Sequence, residues 1–115
     1  MRIVILALGI AATISSEAPT AEPDHWQKMY LSCLSADVIV NAHRSCIPPS
    51  DLFVAAESEC KGSLRLADQE IEMRHALDGA KRLARTEAWR SEVEEYRKRV
   101  IAMAVEVQIN KRHCP

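Results

Sequence analysis

"SCIPPSD", residues 45–51, decides how this chain folds. A proline inside a helix lacks an amide donor and clashes with the preceding turn, so Pro48 and Pro49 cannot both lie within one. Ser50 follows as a natural N-cap, and Asp51 suits the positive end of the next helix dipole. One helix should therefore end near His43 or Arg44, and another should begin at about Asp51.

Working outward, apolar residues repeat at helical spacing on both sides. Before the break, Trp26, Met29, Cys33, Ala36 and Val40 share one face, with Asp24 as N-cap after Pro23. After it come Phe53, Ala56, Cys60, Leu64, Ala67 and Ile71, and later Trp89, Val93, Tyr96, Val100, Met103 and Val107. Extending the last row reaches Asn110 and Cys114. Between Ile71 and Trp89 the phase slips, which calls for a turn somewhere in 78–87. Gly79 suits a C′ position there, and Thr86 marks the alternative. Acid-before-base pairs four residues apart (Glu57–Lys61, Glu70–Arg74, Asp78–Arg82, Glu94–Lys98, Glu95–Arg99) fit solvated helix surface. The expected fold is all-α, a small antiparallel three-helix bundle with helices at about 24–44, 51–78 and 80–112.

The N-terminus has the layout of a signal peptide. Arg2 precedes an apolar run from Ile3 to Ala12, and small and polar residues follow. The run is too short to span a bilayer, which takes about 20 residues. Residues 1–21 are therefore expected to be removed, with cleavage anywhere in 15–21, leaving 22–115 as one helical domain in the periplasm or outside the cell. The chain carries 15 basic and 16 acidic side chains, and cutting after Ala21 removes one of each (Arg2 and Glu17). So balanced a charge disfavours nucleic acid and anionic membrane surfaces as partners. No stable membrane insertion is expected after cleavage.

Export makes the four cysteines candidates for disulfides. Across an antiparallel hairpin centred near residue 47, Cys33 and Cys60 sit at nearly equal heights. If the second turn is near Gly79, Cys114 returns to the level of Cys46. Pairing Cys33 with Cys46 would span roughly 15–20 Å at 1.5 Å per residue, beyond a disulfide's reach. The expected bridges are Cys33 with Cys60 and Cys46 with Cys114.

The same residues bear on other chemistry. His43, Cys46, His113 and Cys114 form a zinc-like ligand set if loop and tail meet as thiols, but oxidation would remove both sulfurs. A thiol enzyme would need a free thiolate beside a base. His25 with Met29, and His75, fit exposed helix positions, and no haem, phosphate-loop or serine-elbow motif is present. No catalytic residue, metal or cofactor is therefore expected.

"ESECKGSLRLADQEIEMRHAL", residues 57–77, loosely resembles a region of lysozyme-inhibitor-like exported proteins, where a cysteine precedes a leucine, an aspartate and a helical aromatic. Cys60, Leu64, Asp68 and Ile71 fit approximately; His75 stands in the aromatic's place, and the family's cysteine soon after Trp89 is missing. The resemblance implies an inhibitor. The residues themselves lead to a non-catalytic module that binds a protein partner, with a periplasmic enzyme inhibitor or immunity-type protein as the narrower alternative and a metal-binding protein as the outsider.

Overall fold

Pro48 and Pro49 separate the first two helices of a computed structural model that describes residues 24–111 and 114. The proposed signal peptide, residues 1–21, lies outside the described residues. Helix α1 spans His25–Arg44, α2 Pro49–Glu59, α3 Lys61–Arg74 and α4 Gly79–Ile109. Among the described residues there is no strand.

The proline break acts two residues earlier than the N-cap pattern suggests. Pro48 is the N-cap of α2 and Pro49 opens the helix, where its missing amide costs nothing. The Pro48 carbonyl accepts from the amides of Asp51 and Leu52 at 2.9 and 3.1 Å. Ser50 is thus inside the helix rather than at its cap.

Among the described residues there are four helices, where three were expected. The segment foreseen as one helix over 51–78 breaks at Cys60, whose φ of −98° and ψ of 9° fall in the bridge region between helix and strand. The apolar row runs through the break, because the Cys60 amide still bonds Ala56 and its carbonyl still accepts from Leu64. Periodicity therefore carries no trace of the kink. The weak helix formers Gly62 and Ser63 lie in the first turn of α3. A side chain at Gly62 would meet nothing within 4 Å, and its φ is not positive. Gly62→Ala should therefore stabilise the fold by about 0.5–1 kcal/mol, read as a raised urea midpoint at unchanged slope.

The second turn also differs in detail. His75, Ala76 and Leu77 turn the chain, and the Asp78 carboxylate accepts from the Lys81 amide at 3.0 Å as the N-cap of α4. Gly79 is the first residue of α4 rather than the residue after a helix, and Thr86 lies well inside it. Helix α4 ends at Ile109 instead of 112.

Helix α1 is the hub, lying against each of the other three. Its buried row is Gln27, Tyr30, Leu34, Val38 and Ala42, one position on from the expected row at its start and two by its end. Trp26 and Cys33 flank the core, whereas Met29 and Val40 are 46% and 45% exposed. The rows after the break hold better: Phe53, Ala56, Cys60, Ala67 and Ile71 are buried, as are Trp89, Val100 and Ala104. Ala104 takes the inward place expected of Met103.

Candidate functional site

The cysteines organise one end and the middle of the bundle. Cys33 is bonded to Cys60 with their Cα atoms 6.0 Å apart, and Cys46 to Cys114 at 5.4 Å. The first bridge ties the α2–α3 break to the middle of α1. The second ties the tail to the loop after α1, and side chains reinforce it. The Lys111 ammonium donates to the carbonyls of Ala42, His43 and Ser45 at 3.1, 2.7 and 3.1 Å. It thus satisfies carbonyls that the C-terminus of α1 leaves unpaired. The Gln108 amide donates to Ser45 and Ile47 carbonyls beside it.

With Cys46 and Cys114 joined, the proposed zinc-like set has no thiolate; His43 is exposed, and His113 lies outside the described residues. Among the described residues no three His, Cys, Asp or Glu side chains are grouped to hold a metal ion, and no cysteine is free. His25 stands edge-on to Trp26, with ring centroids 5.0 Å apart.

At the opposite end, polar contacts position the start of α1. Asp24 has a left-handed φ of 70° and makes no side-chain cap; its carboxylate lies 3.8 Å from Arg85 instead. The Trp26 amide, one of the donors left over at a helix start, is met by Glu70 of α3 at 3.3 Å. Arg85 joins α4 to α1 through buried Gln27 and bonds Glu92 at 2.9 Å. That bond to Glu92 is the chief reason the guanidinium's pKa is raised. Of the five expected surface pairs only Glu70–Arg74 closes at i,i+4 among the described residues. Glu94 and Glu95 pair at i,i+3, with Arg97 and Lys98.

Two clefts result. One, of about 410 Å³, runs between Trp26 and α3, lined by Leu66, Gln69, Glu70, Met73 and Arg74. Met73, near the end of α3, is 77% exposed, and Leu77 in the turn that follows is fully exposed. The other, of about 240 Å³, lies beside the α2–α3 break. Glu57 comes from the end of α2, Leu64 and Asp68 from α3, Trp89, Arg90 and Val93 from α4, and Tyr30 of α1 forms the floor. Tyr30 is 2% exposed and meets Trp89 edge-to-face, centroids 6.0 Å apart. Burial first, then the carboxylates of Glu57 and Asp68, push the Tyr30 pKa up to about 12.

That shift has a sign. The folded state holds the phenol proton more tightly than the unfolded chain, whose tyrosine has a pKa of 10.0. Stability from this group is intact below pH 10 and is lost as pH rises from 10 towards 12. Absorbance at the phenolate band should show one tyrosine ionising about two units late in native protein, and Tyr30→Phe should abolish that late step.

Tyr30 and Glu70 were not singled out by spacing. Tyr30 lay off the row assigned to the core, and Glu70 read as half of a surface pair. Comparison with known protein families, curated protein sequences and solved structures finds no match for this chain.

Proposed function

We propose that this is an exported, non-catalytic helical module that acts by binding a protein partner. The observation that carries it is the apolar cleft of Trp26, Leu66 and Met73, bounded by Gln69, Glu70 and Arg74, with Leu77 fully exposed in the turn after α3. An apolar patch with a polar rim is the usual form of a protein-binding surface. Two disulfides fit an oxidising compartment, and no helix among the described residues is long and apolar enough to cross a membrane.

The narrower version is a periplasmic enzyme inhibitor or immunity-type protein. It is favoured by the resemblance in residues 57–77, two of whose fitting positions, Leu64 and Asp68, line the second cleft. The test is cross-linking of purified protein to the exported proteins of the producing cell. Leu66→Glu with Met73→Glu should remove a specific cross-linked partner, while Val54→Glu, exposed on α2, should keep it. Equal cross-linking by all three proteins would overturn the assignment of the Trp26 face. Inhibition of lysozyme by the wild type decides the narrower version, which a null result removes.

A further inference from the structure

We propose that the cleft over Tyr30 is a recognition pocket for a lysine side chain presented by a protein partner, which rests on the protein-binding function proposed above. Three features converge on an alkylammonium. First, the walls carry the carboxylates of Glu57 and Asp68, with Arg90 as the only cation, so the lining is net acidic. Second, Tyr30 is almost wholly buried and lines the cleft, yet its hydroxyl makes no hydrogen bond among the described residues. A buried hydroxyl left without a partner is costly, and a ligand that supplies one recovers that cost. Third, Leu64 and Val93 form apolar walls on which an aliphatic stem can lie.

The chemistry selects the ammonium. Its three N–H donors match two carboxylates and one phenol oxygen, all of which can accept. The Tyr30 phenol is neutral at physiological pH, as an ordinary tyrosine is, so its oxygen accepts without adding a third charge. Arg90 lines the pocket but has no carboxylate within ion-pair distance among the described residues. It also borders a second hollow with Asp68 and Glu72, towards which its charge can turn.

Titration of folded full-length protein with N-acetyl-lysine N-methylamide, followed by NMR, tests this. The expected result is a saturable millimolar shift of the Trp89 indole and Tyr30 ring signals. Tyr30→Phe removes no hydrogen bond made among the described residues, so it should stay folded while weakening binding about 2–10-fold, the effect of one hydrogen bond. Glu57→Gln with Asp68→Asn should weaken it at least about tenfold, and Arg90→Gln should tighten it. The neutral N-acetyl-leucine N-methylamide should not bind. Absence of a saturable shift, equal shifts with the neutral probe, or full binding by the Glu57/Asp68 double variant would each overturn the pocket. A much tighter fit for 1,4-diaminobutane than for the lysine probe would overturn its assignment to a side chain in favour of a free amine. Loss of partner cross-linking with this titration intact would instead remove the protein-binding function and leave the cation pocket standing.

Discussion

Replacing Cys46 and Cys114 together by alanine should lower folding stability by up to about 4.4 kcal/mol, since the bridge closes a chain separation of 68 residues. The corresponding figure for Cys33–Cys60, with a separation of 27, is about 3.5 kcal/mol. Small domains hold about 5–15 kcal/mol in all, so either loss is a large fraction. The tail pair has the larger effect on the unfolded chain, but its native contact is shared. Lys111 and Gln108 already hold the end of α4 against the carbonyls of residues 42–47. Part of the closure should therefore survive without the bridge. Lys111→Met is the second arm, because it removes the three ammonium bonds and keeps most of the stem. Residues that secure the same contact are coupled, so the combined variant should differ from the sum of its parts by about 0.5–3 kcal/mol. Urea unfolding of the four proteins without reductant measures this. Strict additivity would mean that the bridge and the ammonium act on separate parts of the structure.

The helical, disulfide-linked character of the chain was legible because it rests on local chemistry. Two adjacent prolines end a helix wherever they fall, and the rows from Phe53 to Ile71 and from Trp89 to Val100 have one apolar face each. Helix α1 was harder for a physical reason. It touches all three other helices, so apolar residues surround most of it, and Trp26, Cys33, Tyr30, Leu34 and Val38 satisfy two phases at once. The kink at Cys60 was invisible because hydrogen bonding and periodicity both pass through it. The candidate site depended on these two points. Tyr30 enters the cleft only in the true phase of α1, and the cleft sits beside the kink, between Glu57 and Leu64. Glu70 and Lys111 illustrate a further limit: each caps a helix remote in sequence, 44 and 69 positions away at the longest. Capping patterns that look a few residues ahead do not find such partners.

Phe53→Ala should cost about 3–5 kcal/mol, the range for deleting a buried aromatic ring. The ring is 1% exposed and sits in α2, which at 11 residues is the shortest of the four described helices. A helix of that length is marginal in water by itself, so its place depends on packing. Only Leu52, Phe53 and Ala56 are buried within it. Removing the ring takes away the largest of the three and leaves the Arg97 guanidinium, 5.9 Å from its centroid, without its aromatic face. Phe53→Leu refills much of the volume and should cost under about 1.5 kcal/mol. The contrast between the two variants separates cavity formation from loss of the cation–π contact, since leucine restores the packing but not the π face. A loss under about 1 kcal/mol for the alanine variant would mean that α2 moves in to close the space. Its anchors at both ends oppose that movement. Pro48 and the Cys46–Cys114 bridge precede it, and Cys60, tied to Cys33, follows it, so the cavity should stay open and the full penalty should appear.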